Sequence, residues 1–189
     1  MPNEIRIVGG RFKRTRLAVA DKPGLRPTPD RVRETLFNWL GQDLAGWRCV
    51  DAFAGTGALG FEAASRGAAQ VLLVEQDSQL VDALRAVQAR LKADGVRVVR
   101  GNALTQLAAL PGASVDLVFL DPPFDAPLIE KALTACVQAL APEGLVYLES
   151  PAEWSDERLK PLGFERLRHL KAGQVHAHLL RLHNAPQQA

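Results

Sequence analysis

Four consecutive residues, Asp121-Pro122-Pro123-Phe124, follow an apolar run and have side chains that could act on a nucleobase. Because two prolines supply no backbone N–H, the polar groups left are acceptors, namely the Asp121 carboxylate and the Pro122 carbonyl. Such acceptors can bind and orient an exocyclic amine, and Phe124 offers a face on which the base can stack. The string therefore predicts Asp121, Pro122 and Phe124 as catalytic residues, although two prolines can also simply end a strand.

A glycine-rich stretch from Asp51 to Gly60 fits the spacing GxGxxG, which is a weak signal by itself. Glycines let a ligand approach peptide N–H groups at a helix N-terminus. Asp51 would repel a pyrophosphate but favour the ammonium group of S-adenosylmethionine, and Glu75 could accept from ribose hydroxyls. We expect this cofactor to contact Asp51, Phe53, Gly55, Gly57, Glu75, Gln76, Asn102 and Ala103.

Two other interpretations use the same glycine turn. A dinucleotide-dependent oxidoreductase with an RNA-binding arm would have this turn, but it would give no reason for Asp51 or for the Asp-Pro-Pro-Phe string. The turn could also serve only to pack a helix closely on a strand. Cys49 and Cys136 lie in apolar runs, so we expect reduced, structural thiols rather than nucleophiles.

These residues need a framework, and short apolar runs alternating with helical patterns predict a parallel sheet with crossover helices. The predicted strands are 49–53, 70–75, 96–101, 115–120, 144–149, 164–170 and 174–182. Only three residues separate the last two strands, which is too short for a crossover and predicts an antiparallel hairpin. The fold class is thus α/β and Rossmann-like, with seven mostly parallel strands.

Several smaller elements are also predicted. Apolar spacing indicates a helix over 78–94, capped by Ser78 and stopped by Gly95. Residues 5–8 and 17–19 can pair as a small hairpin around Gly9-Gly10, followed by a helix over 29–40 with Pro29 in its first turn. The four histidines, of which His176 and His178 alternate on a strand, are expected to be ordinary surface or partly buried residues without a metal.

The charge of the chain is unevenly distributed. Its 189 residues suit one domain with a small appendage, and the net charge is only +2. Residues 1–33 hold nine Lys and Arg against three acidic residues, whereas the rest holds 14 against 18. Such an arm suits a phosphate backbone, although it could also be a solvated basic hairpin. No apolar stretch could span a bilayer, so we expect a cytoplasmic protein without a membrane role.

Taken together, the motifs resemble those of the bacterial 16S ribosomal RNA guanine-N2 methyltransferases of the RsmD type. The resemblance covers nearly the whole chain and rests on residues 6–10, 25–40, 51–60, 121–124 and 173–175. It implies a class I S-adenosylmethionine-dependent fold and, as substrate, one guanine of small-subunit RNA in the subunit or its assembly intermediate. The expected RNA-binding residues, from the resemblance and from the basic arm, are Arg11, Arg14, Arg26, Thr28, Arg31, Arg33 and Asn38.

The chain departs from the family at His176-Ala177, where relatives often have an aromatic residue, so we assign no function to that pair. We expect residues 1–45 to form an RNA-engaging arm and helix, 46–184 the catalytic domain and 185–189 a disordered tail, in a monomer. Two alternatives stay open: an amino methyltransferase acting on DNA adenine or another RNA base, and a catalytically silent RNA-binding module.

Overall fold

A seven-stranded sheet and a separate two-stranded hairpin form the framework of the chain in a computed structural model, which describes residues 4–22, 25, 27–123 and 126–183. The elements in chain order are β1 (Glu4–Arg6), β2 (Arg16–Ala18), α1 (Asp30–Trp39), β3 (Arg48–Asp51), α2 (Ala58–Ser65), β4 (Gln70–Glu75), α3 (Ser78–Leu91), β5 (Val96–Arg100), α4 (Ala103–Ala108), β6 (Val115–Leu120), α5 (Ala126–Cys136), β7 (Leu140–Ser150), α6 (Asp156–Leu159), β8 (Phe164–Ala172) and β9 (Val175–Leu182).

The large sheet has the order β5-β4-β3-β6-β7-β9-β8. Neighbours from β5 to β7 pair in parallel, whereas β9 pairs antiparallel with both β7 and β8. The predicted fold class and terminal antiparallel hairpin are therefore confirmed. The position of β9 between β7 and β8 brings the end of the chain back against the parallel part of the sheet.

Both faces of the large sheet are buried under helices. Phe119 and Tyr147 pack in one apolar cluster with α1, α2 and α3, and their strand neighbours Val118 and Leu148 pack in a second cluster with α4 and α5. This alternation follows from the period of two along a strand. Burial among these layers raises the pKa of the Cys49 and Cys136 thiols to about 12, as expected for structural cysteines.

Some predicted boundaries were wrong. The strand predicted over 144–149 begins earlier, at Leu140, which pairs with Val115 of β6. The register then shifts, so that the next pair is Leu117 with Leu145 and the residues between Leu140 and Leu145 have no partner in this pairing. Helix α3 is capped by Asp77 rather than Ser78, since the Asp77 carboxylate accepts from the backbone N–H groups of Gln79 and Leu80. The same helix ends at Leu91 rather than at residue 94.

The N-terminal hairpin pairs Ile5 with Leu17, as predicted, but its connection runs from residue 7 to 15 rather than turning tightly at the two glycines. Pro29 stands just before α1 instead of inside its first turn. Of the helices that the structure describes, none is long and apolar enough to cross a membrane.

Candidate active site

Four acidic residues lie at or next to the carboxyl ends of adjacent strands. Asp51 ends β3, Glu75 ends β4, Asp121 follows β6 and Glu149 is the penultimate residue of β7. The registers align these strand ends, because Asp51 pairs with Phe119 and Phe119 in turn pairs with Tyr147. This is the edge at which open α/β sheets bind their ligands.

Asp51 is almost fully buried, at 1% exposure. Its Oδ2 accepts from the Gly60 backbone N–H at 3.0 Å, whereas its Oδ1 is buried and, among the residues that the structure describes, has no hydrogen-bond partner of normal geometry. Burial raises the pKa of this carboxyl to about 7, with a further contribution from the charge of Glu75. A buried acceptor without a donor is costly, so this position is suited to a positively charged donor from a ligand.

The glycine loop, which contains Gly55 and Gly57, lies next to Asp51 between β3 and α2. Gly57 precedes α2 in a left-handed conformation, with φ of +77°. A Cβ there would lie 2.6 Å from the Phe61 ring and 2.7 Å from Leu84, so only glycine fits. The Gly55 N–H donates to Glu75 Oε2 at 3.0 Å, which ties the loop to the end of β4.

The other residues predicted to bind the cofactor surround this loop. Glu75 Oε1 accepts from the Asp77 N–H at 2.9 Å, yet a carboxylate keeps further lone pairs for a ligand. Phe53 is half-buried, Gln76 is exposed and Ala103 is buried. Asn102 is exposed and caps α4, with its Oδ1 accepting from the Thr105 N–H at 3.2 Å. Its side chain is thus already partly engaged.

Asp121 remains partly exposed, while Pro122 is buried behind it. Burial raises the pKa of the Asp121 carboxyl well above its usual range, and the charges of Glu149 and Asp51 raise it further. The structure therefore brings together Asp121, which the sequence analysis assigned to the substrate, and Asp51, which it assigned to the cofactor. Phe124, the third predicted catalytic residue, lies outside the described residues, as does Arg26.

Glu149 was missed by the sequence analysis. It is 3% exposed, and its Oε1 accepts from the Thr28 hydroxyl at 2.6 Å and from the Tyr147 hydroxyl at 2.8 Å. Burial raises the pKa of this carboxyl, while the two hydroxyls and Arg33 act in the opposite direction. An acidic residue inside an otherwise apolar strand was the available signal, because such residues are rarely buried without a reason.

Arg33 is completely buried, so any contribution to RNA binding would be indirect. Its Nε donates to the Thr28 carbonyl at 3.1 Å, and its other nitrogens pair with Asp30 at 2.5 Å and Glu62 at 3.2 Å. Thr28, also predicted to bind RNA, is 2% exposed and faces Glu149. The structure thus separates these two residues from the exposed members of the set, which are Arg11, Arg14, Arg31 and Asn38.

The basic arm docks on α2 through Glu62, a second buried acid that the sequence analysis missed. Glu62 has no exposed surface, and its carboxylate accepts the backbone N–H groups of Val8 at 2.9 Å and Gly9 at 2.8 Å. A cleft of about 500 Å³ opens beside the docked arm, lined in part by Lys13 and Asn38. This cleft is separate from the carboxyl edge of the sheet.

The histidines correct one expectation, because His178 is completely buried rather than at the surface. Nitrogens of His169, His176 and His178 lie within 4.8 Å of one another, which is close enough for a metal. However, His178 Nε2 accepts from the Trp154 N–H at 3.1 Å, and its Nδ1 lies 3.3 Å from the Leu148 carbonyl. Both ring nitrogens therefore have backbone partners, and neither offers a free lone pair.

Comparisons with known proteins agree on the family. The model of the family described as Conserved hypothetical protein 95 matches residues 5–181. The chain is 46% identical over 171 residues to Ribosomal RNA small subunit methyltransferase D of Escherichia coli K12, covering 85% of this chain and 86% of the relative. It is 39% identical over 164 residues to the protein of the same name from Haemophilus influenzae, covering 84% and 82%.

Solved structures give the same result. An Escherichia coli protein provisionally named a methyltransferase superposes with a TM-score of 0.80 at 39% identity, covering 95% of this chain and 98% of the other. A Thermus thermophilus protein described as hypothetical superposes with a TM-score of 0.73 at 30% identity, covering 93% and 98%. Since the family model spans nearly the whole chain, the protein belongs to the RsmD family of ribosomal RNA small subunit methyltransferases.

Proposed function

We propose that this protein transfers a methyl group from S-adenosylmethionine to the exocyclic N2 amine of a guanine in 16S ribosomal RNA. The observation that carries the proposal is the pair of carboxyls at one sheet edge: Asp51, with a buried oxygen that lacks a donor, and Asp121, followed by two prolines. The first suits a cationic amino-acid ligand and the second suits an amine. The names of the relatives support methyl transfer to small-subunit RNA.

The residues of the glycine loop fit S-adenosylmethionine. Asp51 Oδ1 would accept from its ammonium group, and Glu75 retains lone pairs for the ribose hydroxyls. Glycine at position 57 permits the left-handed turn that leads from the end of β3 into α2, because a Cβ there would overlap Phe61 and Leu84. The remaining residues proposed for this ligand are Phe53, Gly55, Gln76, Asn102 and Ala103. When bound, the cofactor supplies a methyl group on a positively charged sulfur, ready for displacement by a nucleophile.

The protein's own groups would prepare the amine. Asp121 would accept one N–H of the exocyclic amine and the Pro122 carbonyl the other, which aims the nitrogen lone pair away from both acceptors. As the nitrogen gains its fourth bond, its proton becomes acidic, and the Asp121 carboxylate would hold that proton before it passes to water. A carboxyl with a raised pKa is a better proton acceptor than an ordinary one. Phe124 would stack on the base.

The arm and its neighbours would engage the RNA. We propose that residues 1–45 contact the phosphate backbone and residues 46–184 perform the transfer, in the cytoplasm, on the small subunit or its assembly intermediate, with the protein acting as a monomer. The exposed basic side chains suit direct contact with phosphate. The residues proposed for this role are Arg11, Arg14, Arg26, Arg31 and Asn38, with Thr28 and Arg33 supporting them from inside.

The test is transfer of labelled methyl from S-adenosylmethionine to small ribosomal subunits that lack the modification, with the product nucleoside identified. Wild type should form N2-methylguanosine. The rate of Asp121→Ala should be lower by roughly 10²-fold or more, as expected when a group that takes part in proton transfer is removed. Asp82→Ala, at an exposed aspartate on α3, is the matched control and should keep the wild-type rate.

The outcomes separate the alternatives. Label in DNA or in another nucleoside would overturn the guanine assignment and leave the enzyme class. Binding of NAD rather than S-adenosylhomocysteine would overturn the class itself. Full activity of Asp121→Ala would remove Asp121 from the mechanism.

A further inference from the structure

A continuous chain of buried polar groups connects the docked arm to the carboxyl edge. Glu62 holds the backbone of Val8 and Gly9 and pairs with Arg33. The Arg33 guanidinium donates to the Thr28 carbonyl. The Thr28 hydroxyl then donates to Glu149, which lies next to Asp121 because the residues just before them, Leu148 and Leu120, are register partners on β7 and β6. Exposure is 0% for Glu62 and Arg33, 2% for Thr28 and 3% for Glu149.

Packing alone does not explain Glu149. Burying a carboxylate costs free energy that hydrogen bonds only partly offset, and apolar replacements of buried charges are often neutral or stabilising. Here the cost of ionising Glu149 is larger, because it lies beside two other carboxyls, Asp121 and Asp51, whose charges would repel its own. The buried acid therefore has a use other than stability.

We propose that Glu149 is a positioning residue for Asp121, oriented by the hydroxyls of Thr28 and Tyr147 and tied through Arg33 and Glu62 to the docked arm. This inference rests on the function proposed above, in which Asp121 binds the substrate amine. With both hydroxyls on Oε1, the Glu149 carboxylate has one preferred orientation. Its charge then acts on Asp121 from a fixed position.

The charge of Glu149 makes Asp121 a stronger proton acceptor. Asp121 faces Glu149 on β7, Asp51 on β3 and the Tyr147 hydroxyl, and the two acidic neighbours raise its pKa. Burial raises the pKa of Glu149 itself, while Thr28, Tyr147 and Arg33, which face it, act in the opposite direction and favour its charged form. Loss of the Glu149 charge would therefore lower the pKa of Asp121 and weaken its hold on the proton that leaves the amine.

Thr28 links the docked arm to Glu149. Arg33 contacts the Thr28 carbonyl on one side and Glu62 on the other, so the segment that carries the Thr28 hydroxyl is fixed by the same ion pair to which the arm docks. A displaced arm would loosen this segment and release Glu149. The site would therefore be fully arranged only while the arm is docked.

The experiment compares Glu149→Gln, Thr28→Val and their double variant in single-turnover methyl transfer to small ribosomal subunits between pH 5 and 9. Both single variants should lose about tenfold in rate at pH 8, as expected for a misplaced reacting group, with the KM for S-adenosylmethionine within about twofold of wild type. The double variant should lose no more than Glu149→Gln, because the two residues act as one unit.

Two readouts distinguish positioning from a merely structural effect. The acid limb of the pH profile should move to lower pH in Glu149→Gln, and a carbon-13 titration of the Asp121 carboxyl in the protein alone should move in the same direction. Thr134→Val, which removes a hydroxyl that donates to the Glu130 carbonyl one turn earlier in α5, is the matched control and should match wild type. If Glu149→Gln does not fold, Tyr147→Phe, which keeps the Glu149 carboxylate but removes one of its two orienting hydroxyls, should lower the transfer rate as Thr28→Val does.

An unshifted Asp121 titration, or losses that add fully in the double variant, would overturn the inference. If wild-type protein transfers no methyl group to small subunits, the proposed function fails instead. The titration of Asp121 then still decides whether Glu149 acts on it, because that measurement needs no substrate.

Discussion

At the scale of single residues, Asp51 is the group whose state most depends on a ligand. One of its oxygens is buried without a donor in the described part of the chain, and burial raises the pKa of the carboxyl to about 7. A cation placed against that oxygen would favour the charged form and lower the pKa. Binding of an ammonium group and ionisation of Asp51 are therefore coupled, and the coupling has a measurable sign.

The affinity for S-adenosylhomocysteine, which carries the same ammonium group, should rise about tenfold from pH 6 to pH 8. The reason is that the ionised fraction of a carboxyl with a pKa near 7 rises by that factor over this range. Asp51→Asn should bind weakly and with no such rise, whereas Asp94→Asn, at an exposed aspartate, should follow wild type. Calorimetric titration at each pH measures this, and an equal pH dependence in Asp51→Asn would exclude Asp51 as its source.

At the scale of elements, the docking of the arm on α2 depends on close backbone approach. The Arg11 N–H donates to the Ser65 carbonyl at 2.8 Å, and the Phe12 N–H donates to the Ser65 hydroxyl at 2.8 Å. Gly10 has φ of +71°, and a Cβ there would lie 1.9 Å from the Ser65 carbonyl oxygen. The two glycines that the sequence suggested as a hairpin turn thus serve the contact between arm and helix.

Gly10→Ala should displace the arm, and Gly41→Ala is its matched control. Gly41 also has a left-handed φ, of +84°, but a Cβ there meets nothing within 4 Å. Both variants carry backbone strain of about 1 kcal/mol, and Gly10→Ala should lose a further 1–3 kcal/mol, roughly, from the overlap with Ser65.

Urea unfolding gives the free energies for these two variants, and hydrogen exchange at the Phe12 amide reports the arm itself. Exchange should become faster in Gly10→Ala and stay unchanged in Gly41→Ala. Equal free energies of unfolding for the two variants, with equal exchange at Phe12, would show that the contact with Ser65 does not hold the arm.

At the scale of the whole molecule, the net positive charge lies in the N-terminal segment, residues 1–33. Arg11 and Arg14 on the arm and Arg31 on α1 are exposed, and the first two carry no ion pair among the described residues. The body of the protein, by contrast, carries more acidic than basic residues. An RNA should therefore be oriented by the arm before any base reaches the carboxyl edge.

Replacing Arg11 and Arg14 together by Gln should weaken binding to small-subunit RNA and flatten its dependence on salt. Removing one arginine that binds a phosphate should reduce the slope of log affinity against log salt by about one, so the double variant should reduce it by about two. The control removes the same charge elsewhere, at Arg85 and Arg97, which are exposed on α3 and β5. Fluorescence anisotropy from 50 to 300 mM KCl, roughly, measures both, and equal slopes for the two double variants would show that the arm has no special part in binding.

The sequence by itself determined the local parts of this protein. Strand periodicity predicted β4 and β6 with their observed bounds, and three residues between the last two strands predicted their antiparallel pairing. The glycine spacing and the Asp121-Pro122 string indicated the carboxyl edge, because motifs of adjacent residues need no knowledge of the fold. Even local signals failed where two candidates compete, as when Asp77 rather than Ser78 caps α3.

Only the tertiary structure decided which distant residues meet. Thr28 and Glu149 are 121 residues apart in sequence, and Val8 and Glu62 are 54 apart, yet each pair is joined by a hydrogen bond. Such contacts follow from the order of the strands and from the packing of the arm against α2, neither of which is encoded in periodicity. The burial of Arg33, His178 and Glu149 has the same origin, since the exposure of a polar side chain depends on the elements that fold over it.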